Sequence, residues 1–104
     1  MVQSIMEIQK GKIESVKIIK GDTFETELHV KIISKSNITN GDVYQTLTFP
    51  VKNKNSVRRK LQKYFNLTKL KETKGMDVVI KVEDQWTRGF AIEKNNEQLW
   101  FSLD

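Results

Sequence analysis

Residues 56–65, SVRRKLQKYF, hold the side chains of this chain best suited to binding a charged partner. Four of them are cations and none is an acid: Arg58, Arg59, Lys60 and Lys63. Basic side chains contact phosphate groups without reading base sequence. The stretch therefore either binds an anionic partner or is the solvated face of a helix that packs on a sheet.

The positive charge of the whole chain is concentrated around this stretch. Residues 52–74, which we call the basic segment, contain nine cations and one acid, Glu72; the remaining residues contain nine cations and twelve acids. The basic segment thus carries +8 and the remainder −3 of the net +5. Its other five cations are Lys52, Lys54, Lys69, Lys71 and Lys74. Such asymmetry is expected of a surface that attracts nucleic acid, a membrane surface or an acidic protein.

A helix over residues 56–66 is predicted, with Asn55 or Ser56 as its N-cap. Its apolar stripe consists of Val57, Leu61, Tyr64 and Phe65. Arg59 and Lys63 are like charges at i and i+4, which destabilises a helix by about 0.2–0.5 kcal/mol. Cations at 58–60 would lie in the first turn, where the helix dipole disfavours them by about 0.3–1 kcal/mol. Uncompensated local costs indicate function, so both interpretations of the stretch stay open.

Residues 24–51 are predicted to form a long β-hairpin because apolar and polar residues alternate on both sides of Asn40-Gly41. This pair is preferred in two-residue type I′ turns. A further strand over 12–20 precedes the hairpin, after a short strand over 3–9 and a turn at Lys10-Gly11. Three more strands follow the helix, over 77–83, 87–94 and 98–103. One shared interior is expected for Leu28, Val30, Leu47, Phe49, Leu61, Phe65, Val78, Ile80, Phe90 and Phe101.

The resulting element order is β-β-β-α-β-β plus a terminal strand. It resembles that of the OB-fold, a small, partly open barrel that binds oligonucleotides. The resemblance is to an architecture and covers residues 12–94. An open antiparallel α+β sheet and an SH3-like barrel fit the same strands. We therefore expect a mainly β fold with one helix, in a single domain over residues 1–104.

Three aromatic residues are candidates for stacking on unpaired bases, because their positions are out of phase with the core. Tyr44 lies on the outward phase of the hairpin, and Trp100 points away from Leu99 and Phe101. Trp86 lies close to Gly89, where a ligand could approach the backbone. Base stacking would accompany phosphate contacts in single-strand binding. For each ring, partial burial at one end of the barrel is the alternative.

No enzymatic or metal-binding motif is found in the sequence. The one histidine, His29, shares a strand with Glu25 and Glu27, and metal sites usually need at least three ligands. The Glu83-Asp84 pair and the triplet of residues 72–74 only faintly resemble nuclease carboxylate–lysine sets. We expect a protein that is not an enzyme and has no cofactor.

The lack of cysteine fits a reducing compartment. Neither a signal peptide nor an apolar run of about 20 residues is found, so we expect a cytoplasmic protein that does not enter membranes.

Two functions agree with these observations. The first is a nucleic-acid-binding domain that prefers single-stranded DNA or RNA and comes from a phage or mobile element. The second is a compact protein-binding inhibitor of a nucleoprotein complex, such as an anti-CRISPR or other counter-defence protein. Many such inhibitors are acidic mimics of DNA, whereas this chain is basic, which favours the first function. The oligomeric state is left open.

Overall fold

One six-stranded antiparallel sheet packs against one α-helix in a computed structural model that describes residues 6–21, 25–35, 41–84 and 86–103. The elements in these ranges are β1 (Met6–Lys20), β2 (Thr26–Lys35), β3 (Asp42–Pro50), α1 (Lys54–Phe65), β4 (Asp77–Glu83), β5 (Trp86–Lys94) and β6 (Glu97–Trp100). A short 3-10 helix, Leu70–Thr73, lies between α1 and β4. The predicted mainly β fold with one helix is confirmed.

The central strand, β1, pairs on both sides. Residues 6–12 pair with β4, and residues 11–20 pair with β2. The strand order is β3-β2-β1-β4-β5-β6, and within the described ranges β3 and β6 each pair with one neighbour only. The sheet is therefore open, as in the α+β alternative, and among the described residues no ladder closes it into an OB-like or SH3-like barrel.

Lys10 and Gly11 lie inside β1, so the turn predicted there is wrong. Gly11 is required for a different reason, because it lies where β1 passes between β2 and β4. A Cβ atom at this position would lie 2.9 Å from Cγ2 of Ile32 and 3.0 Å from the carbonyl oxygen of Ile33. Glycine in a strand often marks such a close approach of two backbones.

The predicted hairpin is confirmed by the antiparallel pairing of β2 with β3. Leu28 lies opposite Phe49, and the described pairing extends to Lys35 opposite Asp42. Of the predicted turn pair, Asn40 lies outside the described residues. The register differs from that of a two-residue turn at Asn40-Gly41, which would require residue 39 opposite Asp42.

The core lies between α1 and the face of the sheet that α1 covers, which we call the inner face. All ten residues predicted to share one interior contribute to it. Phe49 is partly buried against the other nine, which are buried: Leu28, Val30, Leu47, Leu61, Phe65, Val78, Ile80, Phe90 and Phe101.

The terminal strand is shorter than predicted, since β6 ends at Trp100 and residues 101–103 have no regular structure. The Phe101 N–H still donates to the carbonyl of Phe90 at 3.0 Å. Leu99 lies opposite Ile92, as its inward phase requires, but 40% of its surface is exposed. No further strand covers this edge in the part of the chain described.

Aromatic rings bring the two edges of the sheet together beneath α1. The ring centroid of Phe49, on β3, is 5.5 Å from that of Phe101, which follows β6. Tyr64 of α1 contacts Phe101 at 5.1 Å. The Tyr64 hydroxyl accepts a hydrogen bond from the Ile92 N–H at 3.1 Å and donates one to the Leu99 carbonyl. These contacts fix α1 over the edge formed by β5 and β6.

Replacing Phe65 by alanine should lower the free energy of unfolding by about 3–5 kcal/mol, because this ring is buried between α1 and the sheet. Chemical denaturation of the variant and the parent provides the measurement. Arg59→Ala, on the exposed face of the same helix, is the matched control and should stay within about 0.5 kcal/mol of the parent. Equal midpoints for Phe65→Ala and the parent would show that α1 docks through another face.

The partly buried hydroxyl of Tyr64 should make the folded protein less stable at alkaline pH. Burial raises the pKa of Tyr64 above its ordinary value of 10.0, although the hydrogen bond from Ile92 opposes this effect. Since the unfolded chain ionises first, the stabilisation is complete below about pH 10 and is lost as pH rises through the higher pKa of the folded state.

Tyr64→Phe should therefore be less stable than the parent at pH 8, by about 1–3 kcal/mol for the hydrogen bonds it lacks. The difference should narrow when both proteins are melted between pH 9 and 11. The lysines are common to both proteins, so their titration cancels in the comparison. A difference that stays constant over this range would contradict the prediction.

Candidate nucleic-acid interface

The basic segment connects β3 to β4 and contains all of α1, so it covers the inner face of the sheet. Val57, Leu61 and Phe65 are buried along one side of α1. Arg58, Arg59 and Lys63 are exposed on the rest of its surface, and Lys60 is half-buried. The apolar stripe thus determines which way these cations face.

The helix begins two residues earlier than predicted, because Asn53 is the N-cap. Its side-chain Oδ1 accepts a hydrogen bond from the Ser56 N–H at 3.0 Å, so neither Asn55 nor Ser56 caps the helix. The cations at 58–60 consequently lie beyond the first turn, and the dipole cost predicted for them is wrong. Lys54 is the cation of the first turn.

Two features of α1 reduce the electrostatic destabilisation expected from its cations. Lys63 lies in the last turn, where the helix dipole stabilises a cation. Arg59 Nε donates to the carbonyl of Asn55 at 3.4 Å. The like-charge spacing of Arg59 and Lys63 remains, and neither has an acidic partner in the described ranges.

Most cations of the basic segment lack an ion pair in the part of the chain that the structure describes. This group consists of Lys52, Lys54, Arg58, Arg59, Lys63, Lys69 and Lys71. Lys74 Nζ lies 3.9 Å from Oε1 of Glu14, and Lys60 also has an interaction partner. Positive charge on this side of the molecule is therefore available to an external anion.

The one acid of the basic segment is used to build local structure. Glu72 Oε1 accepts a hydrogen bond from the Lys69 N–H at 3.2 Å and so caps the 3-10 helix. Thr73 is buried, and its hydroxyl donates to the Leu70 carbonyl at 2.6 Å. Residues 72–74 thus stabilise a turn, which accounts for this triplet without catalysis.

The candidate aromatic residues lie on the opposite side of the sheet, which we call the outer face. Tyr44 alternates with the inward residues of β3 and is 57% exposed. Trp100 lies opposite Ala91, and Trp86 lies opposite Glu83, both on the outer face. The structure therefore separates the predicted stacking residues from the predicted phosphate-binding residues by the full thickness of the sheet and helix.

Two cations on the outer face contact these rings. Lys31 Nζ lies 5.1 Å from the ring centroid of Tyr44, and Lys81 Nζ lies 5.0 Å from that of Trp100. A Cβ at Gly89 would lie 3.9 Å from Cε3 of Trp100, so Gly89 is covered by this ring rather than open to a ligand. Neither cation–π contact is predictable from the sequence, because both depend on register across strands.

His29 is held by an internal contact, with Nε2 3.0 Å from Oε1 of the buried Glu27. No group of three or more His, Cys, Asp or Glu residues that could hold a metal occurs among the described residues. In the same ranges, no helix has the length and apolar character needed to cross a membrane.

Comparisons with protein-family models, curated proteins and solved structures found no match to this chain.

Proposed function

We propose that this protein binds nucleic acid through the phosphate backbone, with the basic segment as the contact surface. The observation that carries the proposal is the set of seven cations that have no ion pair with any described residue, on a segment whose single acid caps a 3-10 helix. Unpaired cations on one surface attract a polyanion. The cytoplasm, where such a partner is met, is part of the proposal.

The placement of the aromatic rings changes the kind of nucleic acid that this surface suits. A preference for single strands depends on rings that stack on bases beside cations that hold phosphates. Here Tyr44, Trp86 and Trp100 lie on the outer face, away from α1. The basic segment therefore needs only a backbone, and duplexes and single strands should both bind.

Contacts from five exposed cations, Arg58, Arg59, Lys63, Lys69 and Lys71, give the expected salt dependence. If each neutralises one phosphate, the plot of log K against log salt concentration should have a slope near −4.5 for duplex DNA and near −3.5 for a single strand. Fluorescence anisotropy with labelled oligonucleotides measures both slopes. No binding at low salt would contradict the proposal.

Replacing Arg58 and Arg59 together by glutamate should weaken binding to every sequence. Loss of two phosphate contacts lowers affinity by about 60-fold at 0.1 M salt, since each contributes about 0.9 to log K there. The helix should remain stable, because each new acid has a lysine four residues away, Lys54 or Lys63. Thermal melting tests that condition.

Lys17→Glu with Lys31→Glu is the matched control, because it changes the net charge equally on the outer face. This control should reduce affinity far less than the α1 variant. Equal losses for the two variants would mean that overall charge, rather than the basic segment, determines binding. The cations of α1 would then be only a solvated surface.

A second candidate function, protein binding as an inhibitor of a nucleoprotein complex, is favoured by one observation. Trp86 is 68% exposed, and Met6 and Ile8 are exposed on the same outer face. Tryptophan and methionine are enriched in protein interfaces. A host protein retained by immobilised parent but not by a Trp86→Ala variant would support this function.

A further inference from the structure

An exposed apolar surface lies on the outer face of the half of the sheet formed by β4, β5, β6 and the first part of β1. Met6, Glu83 and Trp86 form one cross-strand row, and Ile8 and Lys81 begin the next. The third row, from Lys10 through Val79 and Ala91 to Trp100, spans all four strands. We call these three rows the aromatic face.

The large side chains of the aromatic face are exposed to a degree unusual for their type. Trp86 is 68% exposed, Met6 55%, Ile8 48% and Trp100 38%. Glu83 and Lys81 lie between these side chains, and Val79 and Ala91 of the third row are buried. Four exposed large apolar side chains within three neighbouring rows of a small protein nevertheless indicate an interaction site.

Charge on and beside the aromatic face is nearly balanced, unlike that of the basic segment. Three lysines and three acids project outward from these strands: Lys10, Lys12, Lys81, Asp77, Glu83 and Glu93. Arg88, exposed at the irregularity in β5, adds one cation. Lys12 and Asp77 form an ion pair of 2.9 Å. This surface lacks the excess of cations that attracts a polyanion to the basic segment.

The same balance fits a second copy of this chain. Two molecules of net charge +5 repel each other most strongly through their basic segments, which lie on the inner side. The aromatic face points away from that side and presents both signs of charge to an identical surface. Two copies can therefore meet through it with apolar contact and without opposing a strong net charge.

We propose that this protein associates with itself through the aromatic face, sheet against sheet, about a twofold axis. The three rows, on up to four strands, span about 14 Å by 14 Å between Cα positions, which is an area of about 200 Å². This area is smaller than the roughly 800 Å² that each partner buries in a standard interface, so the dimer is weak and concentration-dependent. Both basic segments remain exposed, on opposite sides of the dimer. The inference does not depend on the proposed nucleic-acid binding.

Sedimentation of the protein without nucleic acid tests the proposal. The mass should rise from 12.2 kDa toward twice that value between about 10 µM and 1 mM, the range expected for a small interface. Trp86→Lys and Ile8→Lys should each remain monomeric over this range. Both positions are exposed, and unchanged far-ultraviolet circular dichroism confirms that each variant folds.

Tyr44→Lys is the matched control, since Tyr44 is 57% exposed on the outer face but lies on β3, outside the aromatic face. It should associate as the parent does. A parent that is monomeric at 1 mM, or a Tyr44→Lys variant that fails to associate, would overturn the proposal. So would a Trp86→Lys variant that loses affinity for single-stranded DNA while the parent stays monomeric, because Trp86 would then stack on bases. Loss of DNA binding only in the Arg58/Arg59 variant leaves self-association intact.

Discussion

The sharing of β1 between β2 and β4 is the constraint on which the rest of the structure depends. The two pairings overlap at Gly11 and Lys12, and a bulge follows between Ile13 and Ser15. A bulge bends its strand and increases the local twist. The two halves of the sheet therefore curve toward the same side, where α1 fills the concave inner face. At the far end of this curve Phe49 meets Phe101, so side chains rather than a ladder join the sheet edges.

The position of α1 then decides where chemistry is possible. Because its apolar stripe occupies the inner face, Arg58, Arg59 and Lys63 of α1 point away from the sheet. The aromatic residues of β3, β5 and β6 that alternate with core residues point in the opposite direction. The basic and aromatic residues that the sequence suggests for one site therefore lie on two separate surfaces. A site for single-stranded nucleic acid that combines Arg59 with Trp100 cannot form within one molecule.

The sequence was sufficient to predict the core because the face of the strand on which a side chain lies can be correct even when the predicted strand register is wrong. A two-residue turn at Asn40-Gly41 implies a β2–β3 pairing that differs by four residues from the observed one, in which Lys35 lies opposite Asp42. An even shift leaves each side chain on the same face of the strand, so Leu28 and Leu47 are core residues in either register. Contacts between strands, such as that of Lys31 with Tyr44, cannot be predicted from a wrong register, because they depend on which residues lie opposite each other.

Two other errors arose where local patterns have more than one physical cause. Glycine occurs in turns and also where backbones pass closely, and only the three-dimensional path of β1 distinguishes these for Gly11. Asparagine and serine are both good N-caps, and the run Asn53, Asn55, Ser56 offers three; the structure selects Asn53. That choice moves the arginines out of the first turn. The separation of cations from aromatic rings was not predictable, because it follows from tertiary packing of α1.

Because charge is unequally distributed along the sequence, the two sides of the folded molecule differ in net charge. The +8 segment forms one side, and the surface on and beside the aromatic face, on the other side, carries similar numbers of cations and acids around exposed tryptophans. Long-range attraction of a polyanion acts on the first side, because uncompensated charge determines the field. Short-range apolar contact acts on the second, where the acids would repel phosphates. A partner that binds one side leaves the other accessible, so binding at the two surfaces need not compete.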